Sequence, residues 1–279
     1  MYVGWLSMVL KSGRWGQLCL LAFCMVSLQR TDATTAIPTS QPSRQPTSQP
    51  TGQPSFHPTL HGTVIRDIDP STMSKATGFR IKGSSDSTGY SVSKAGDVNG
   101  DGIDDMIIAS PYETIAGQTN VGITYVVFGR NRTIASDFNM ATMTTGRSTG
   151  FRLLGSAADD FTGAAVGAAG DFNGDGVDDI LVNQNLASLA GITYVIFGRR
   201  VASTANAFTD ITLSSYASSP TTMIRIFGVT AGDYSGAALS GGADINGDGI
   251  HDIIVGAGFA TPATGRENAG ISYVIFGTK

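Results

Sequence analysis

Asp97-Val98-Asn99-Gly100-Asp101-Gly102-Ile103-Asp104-Asp105 is a nine-residue loop that recurs at Asp171 to Asp179 and at Asp244 to Asp252. Positions 1, 3, 5 and 9 carry hard oxygen donors, the residue at position 7 can offer its backbone carbonyl, and Gly at position 6 permits a sharp turn. The pattern predicts three calcium sites. The candidate ligands are Asp97, Asn99, Asp101, Ile103 and Asp105; Asp171, Asn173, Asp175, Val177 and Asp179; and Asp244, Asn246, Asp248, Ile250 and Asp252. A single such string also reads as an Asx/Gly turn, but three copies with the same donor positions argue for a ligand set.

An EF-hand would need a Glu at position 12 and flanking helices. Position 12 is Ile108, Val182 and Val255, and each loop runs into a β-rich apolar stretch: Met106-Ile-Ile-Ala, Ile180-Leu-Val, Ile253-Ile-Val-Gly. Asp at position 9 must then close the cage, with the loop set between two strands.

The loops lie 74 and 73 residues apart, and the surrounding sequence repeats in step. Each unit opens with a short strand (Phe79-Arg-Ile-Lys-Gly83, Phe151-Arg-Leu-Leu-Gly155, Ile224-Arg-Ile-Phe-Gly228). Each closes alike, on Gly122-Ile-Thr-Tyr-Val-Val-Phe-Gly129, Gly191-Ile-Thr-Tyr-Val-Ile-Phe-Gly198 and Gly270-Ile-Ser-Tyr-Val-Ile-Phe-Gly277. Four short strands per unit and no helical period predict an all-β fold of β-propeller blades.

At these residues the chain resembles FG-GAP repeat proteins, the family of the integrin α-subunit N-terminal propeller, over residues 62–279. The resemblance implies three four-stranded antiparallel repeats at about 78–129, 150–198 and 223–277, and extracellular work in adhesion or matrix contact. The calcium loop is the best match. The family's Phe-Gly dipeptide falls on Thr88-Gly89, Thr162-Gly163 and Ser235-Gly236, and its Gly-Ala-Pro element survives only in fragments, least of all at Asn183-Gln184-Asn185. Propellers close with about 4 to 8 blades. Three repeats therefore imply an incomplete arc, either a piece of a longer protein or an arc that self-associates to complete a ring.

The N-terminal part reads differently. Lys11 and Arg14, the apolar run Leu18 to Leu28 and the small residues Ala33 and Ala36 have the layout of a secretory signal peptide over about residues 1–30. A buried helix or membrane anchor is the other reading, although the run is short for a bilayer. Both cysteines, Cys19 and Cys24, lie inside it, so a mature exported chain would be stapled by calcium rather than by disulfides. Residues 31–61 place Pro at 38, 42, 46, 50, 54 and 58 among Ser, Thr and Gln, a disordered extended stalk. Asn131-Arg-Thr133 is a glycosylation sequon, which chance can also produce. The location expected is secreted or cell surface.

Net charge is −4, and 11 of the 22 acidic residues sit in the three loops, where they would repel one another without a counter-ion. No basic patch suggests nucleic acid as partner. The three histidines are His57, His61 and His251, and neither a nucleophile elbow nor a phosphate-cradling loop is present, so no enzyme is expected. Asp104, Asp178 and His251, at loop position 8, read as solvated residues pointing away from the metal. Two function classes stay open: a calcium-binding module for an extracellular protein or glycan, and an accessory non-catalytic part of a larger enzyme or cell-wall protein.

Overall fold

The computed structural model describes residues 69–74, 78–84, 87–130, 137–146, 148–185, 190–203, 207–218 and 221–279. The signal segment, the stalk, residues 62–68 and Asn131 lie outside them.

Strands account for nearly all the regular structure, as the turn-separated apolar runs predicted. The first sheet holds β2 (Ser91–Gly96), β3 (Asp105–Ser110), β4 (Ile123–Val127) and β6 (Gly150–Leu154), antiparallel throughout. The second holds β7 (Thr162–Gly170), β8 (Asp179–Gln184), β9 (Ile192–Ile196) and β11 (Met223–Phe227). In the third, β12 (Ser235–Ala243), β13 (Asp252–Ala257) and β14 (Ile271–Ile275) form three strands among the described residues. Three short strands complete the set. β5 (Phe138–Asn139) pairs in parallel with β1 (Ile81–Lys82), and β10 (Ile211–Thr212) pairs in parallel with β6.

These are propeller blades, but strands are shared differently from the sequence repeats. Phe151–Gly155 and Ile224–Gly228 open their sequence units, yet their strands β6 and β11 pair with β4 and β9 and so form the outermost antiparallel strand of the preceding sheet. Pairing between strands close in sequence is the commonest connection, and among the described residues only the short strands β5 and β10 with their 3-10 turns separate the closing strand of one unit from the opening strand of the next.

Burial shows what each sheet packs against. β9 and β14 read Ile-Thr-Tyr-Val-Ile and Ile-Ser-Tyr-Val-Ile, nearly the same strand. The first is buried along most of its length; the second alternates half-buried with exposed. A strand covered on both faces tolerates a continuous apolar run, so the difference lies in the neighbours. Ile107 and Val126 of the first sheet face Ile180 and Ile196 of the second, with Phe128, Phe151 and Phe208 filling the outer end. The Phe151 and Phe208 rings stack at 4.3 Å. Leu181 and Val195 then face Ile253 and Val255 of the third sheet.

Equivalence of position predicts Ile254 and Val274 to be buried like Ile107, Leu181, Val126 and Val195. They are 37% and 47% exposed, because no described residues form a sheet over that face of the third blade. The opposite end is not bare. Ile108, Tyr125 and Val127 on the far face of the first sheet are covered by Met140, Met143, Phe138 and Ile81.

The connection that carries β5 or β10 also locks neighbouring blades. Arg152 donates through its backbone N–H (3.0 Å) and Nε (2.9 Å) to the two oxygens of Asp210, just before β10, and Arg80 does the same to Asp137, just before β5. Burial raises the Asp210 carboxyl, but hydrogen bonds from Arg152 and Thr145 outweigh it and hold the group below the usual carboxylate value. The signal was present in the sequence as an Arg at the second residue of each opening strand and an Asp before an apolar residue in two connections.

Candidate metal centres

Each nine-residue loop joins the first two strands of its sheet, β2 to β3, β7 to β8 and β12 to β13. Position 6 is where the chain turns. Gly102, Gly176 and Gly249 have φ of 86°, 85° and 85°, a left-handed conformation that glycine adopts without a steric cost.

The side chains at positions 1, 3 and 5 fold over that turn. Asp97 Oδ1 accepts the Asp101 N–H at 2.9 Å and Oδ2 the Gly102 N–H at 2.7 Å; Asp171 and Asp244 repeat both bonds. Asn99 Oδ1 accepts the same Asp101 N–H at 2.9 Å, as Asn173 and Asn246 accept from Asp175 and Asp248. Asp101, Asp175 and Asp248 accept from the N–H of position 7, which is Ile103, Val177 and Ile250. The oxygens of positions 1 and 3 therefore converge on one donor, the geometry of successive Asx turns.

Position 9 has a different task. Asp105, Asp179 and Asp252 are 3%, 0% and 0% exposed. One oxygen accepts the N–H of position 2 (Val98, Phe172, Ile245). The other accepts the N–H of the glycine that closes the repeat: Gly129, Gly198 and Gly277. One carboxylate thus ties the start of the loop to the end of the third strand. Burial pushes the Asp105 carboxyl up to about 7, with the Asp101 and Asp97 charges adding to the rise against the N–H donors of Gly129 and Val98. Burial does the same to Asp179, also up to about 7. Asp244, at the open end of the third loop, is held below the usual value chiefly by the Gly249 N–H.

Among the described residues, no three acidic, histidine or cysteine side chains are gathered into a cluster that would hold a metal by themselves. The donor set nonetheless fits calcium: every group is a hard oxygen, amide and carbonyl oxygens complete the carboxylates, and a buried carboxylate beside like charges is an environment that a cation relieves. The residues that would hold an ion are the side chains at positions 1, 3, 5 and 9 and the carbonyl at position 7.

The structure corrects the reading of position 8 in the second and third loops, whereas Asp104 in the first is exposed as expected. Asp178 is not simply solvated: its Oδ2 accepts the Asp97 N–H of the preceding loop at 2.8 Å, and His251 Nδ1 accepts the Asp171 N–H at 2.9 Å. Gly96 and Gly170, just before the receiving loops, make room; a Cβ there would stand 2.2 Å from Asp178 Oδ2 and 2.4 Å from His251 Nδ1. The middle repeat, where the Gly-Ala-Pro element is lost, holds a buried polar pair in its place. Asn183 Nδ2 donates to the Ser235 carbonyl of the next blade, and Gln184 is held by Asp160, Thr162 and Tyr194.

Comparison with known proteins agrees with this architecture. The FG-GAP repeat family matches residues 88–127 and 235–275, which cover the first three strands of the first and third sheets. Two FG-GAP repeats lie in this chain. A second family, the PT disordered repeat, matches residues 29–61. The chain is 28% identical over 197 residues to a phosphatidylinositol-glycan-specific phospholipase D of Dictyostelium discoideum, covering 66% of this chain and 19% of that protein. It is 28% identical over 173 residues to integrin alpha-PS5 of Drosophila melanogaster (61% and 15%), and 29% identical over 175 residues to integrin alpha-PS2 of the same fly (61% and 11%). The chain thus spans less than a fifth of each of these relatives. No helix among its described residues is long and apolar enough to cross a membrane.

Proposed function

We propose that residues 62–279 form a calcium-stabilised extracellular module that binds a protein or glycan, in adhesion or matrix contact, and that the chain is not itself an enzyme. The observation that carries this reading is the same five-donor loop at the same place in three consecutive sheets, each carrying a buried carboxylate that an ion would neutralise. Calcium would act by mass action, favouring the folded loops over the unfolded chain. Export behind residues 1–30, a stalk over 31–61 and a glycan on Asn131 belong to the same proposal. The likeness to integrin alpha subunits supports adhesion.

A panel of immobilised glycans and extracellular matrix proteins, probed with the chain in calcium and in chelator, tests it. Calcium-dependent capture of one class is the expected result. Loss of stability in chelator with no capture would favour the second reading, an accessory part of a larger protein, which the small share of each relative covered also supports.

A further inference from the structure

Asp178, at position 8 of the second loop, lies between Val177 and Asp179, both candidate ligands of that loop. Its Oδ2 accepts the N–H of Asp97, a candidate ligand of the first loop, at 2.8 Å, and its own N–H faces the Asp97 carbonyl at 3.4 Å. One residue of the second loop thus grips both backbone groups of the first loop's leading ligand.

A second link starts from the ligand at position 9. Asp179 Oδ1 accepts the Gly198 N–H at 2.8 Å, and the chain after Gly198 runs along the first loop as a strap: the Arg199 N–H donates to the Val98 carbonyl at 3.0 Å and the Val201 N–H to the Asn99 carbonyl at 2.8 Å. Asn99, another candidate ligand, is 3% exposed. Between those two bonds Arg200 packs on Gly100, where a Cβ would stand 2.6 Å from Arg200 Cγ, and its Nη2 donates to the Gly176 carbonyl of the second loop at 3.4 Å.

Both links recur one blade further on. His251, between Ile250 and Asp252, accepts the Asp171 N–H through Nδ1 at 2.9 Å. Asp252 Oδ1 accepts the Gly277 N–H at 3.0 Å, and the Thr278 N–H that follows donates to the Phe172 carbonyl at 3.1 Å. Asp and His share no chemistry beyond an acceptor atom, so the link belongs to position 8 and not to one kind of side chain.

We infer that the loops are coupled sites, in which an ion in one loop raises the calcium affinity of its neighbour, with Asp178 and His251 as the positioning residues. The inference rests on the calcium reading of the loops and adds their interdependence to it. The Val177 carbonyl and the Asp179 carboxylate stand on either side of Asp178, and Asp179 also anchors the strap, so fixing those two groups fixes both holds on the first loop. Ordering of Asp97, Val98 and Asn99 gained in this way is not lost a second time when the first loop fills, which is positive cooperativity. Asp178 also brings a negative charge to the junction, which offsets the repulsion between ions in adjacent loops. Coupling of this kind acts equally in both directions.

Hydrogen-exchange mass spectrometry of the full chain across a calcium titration is the test, because the protection of each loop gives its own midpoint. Asp175→Ala, which removes a ligand from the second loop, should raise the midpoint of the first loop about tenfold, and Asp101→Ala should raise that of the second by the same factor. Asp178→Ala removes no ligand, yet it should weaken the first loop and shrink its response to Asp175→Ala, a double-mutant cycle that isolates the link. Asp178→Asn keeps an acceptor oxygen and should restore the response. A first-loop midpoint unmoved by Asp175→Ala overturns the coupling and leaves the calcium reading standing. A response of equal size in Asp178→Ala overturns the role given to position 8. Absence of calcium-dependent protection in every loop overturns the calcium reading and the coupling together.

Discussion

The backbone N–H of Asp97 donates to the side chain of Asp178, 2.8 Å away in the next loop along the chain. The Asp178 N–H returns toward the Asp97 carbonyl, and His251 and Asp171 repeat the exchange one blade further on. The first residue of one loop, itself a candidate ligand, is therefore positioned by the eighth residue of the next. Blades in this protein are joined through their loops as well as through their apolar faces.

Asp178→Ala should cost about 1 kcal/mol, the net worth of a hydrogen bond with its donor left unpaired, and should leave the number of bound ions unchanged. Urea denaturation in saturating calcium, paired with equilibrium dialysis, measures both. Loss of an ion would mean that position 8 is a ligand and that the assignment of positions 1, 3, 5, 7 and 9 is wrong.

Asp210→Ala removes the acceptor that joins the second blade's connection to Arg152 of the first and should cost about 2 kcal/mol, as for hydrogen bonds to a charged partner. The Asp210 carboxyl is held below its unfolded value, so the folded state binds fewer protons there. Its contribution is complete above the unfolded value of about 4 and is lost as pH falls through the lower folded value. The gap between wild-type and Asp210→Ala stability should be constant near neutrality and narrow in acid. A gap that widened in acid would reverse the sign argued here.

Gly198→Ala should destabilise by about 3 kcal/mol, the upper range for overpacking. A Cβ there would stand 2.2 Å from the Asp178 carbonyl and 2.9 Å from the Val98 carbonyl, backbone atoms with no room to move. Gly102→Ala is the contrast: nothing lies within 4 Å, so only the left-handed conformation is penalised, at about 1 kcal/mol. Thermal melts of the two variants in calcium should rank in that order.

The loop was legible in sequence because its chemistry is written in residue identity: Asp, Asn and Gly at fixed offsets can do little else three times over. The strands were legible for the same local reason. Strand partnership was not, since β6 and β11 carry no mark of which neighbouring unit they join, and only the antiparallel pairing with β4 and β9 decides it. Position 8 escaped because the reading looked inward toward a metal, whereas Asp178 and His251 act on the adjacent loop. The exposure of Ile254 and Val274 was hidden by repetition itself. Identical residues in equivalent positions differ only in what lies across from them.

Calorimetric titration of the repeat-bearing chain with calcium bears most directly on the account. Three ions per chain are predicted, with affinities of about 10⁻⁴ to 10⁻³ M as in other extracellular modules, two ions for Asp175→Ala, and a melting temperature that rises with calcium by mass action. No binding, and one melting curve shared by calcium and chelator, would contradict it.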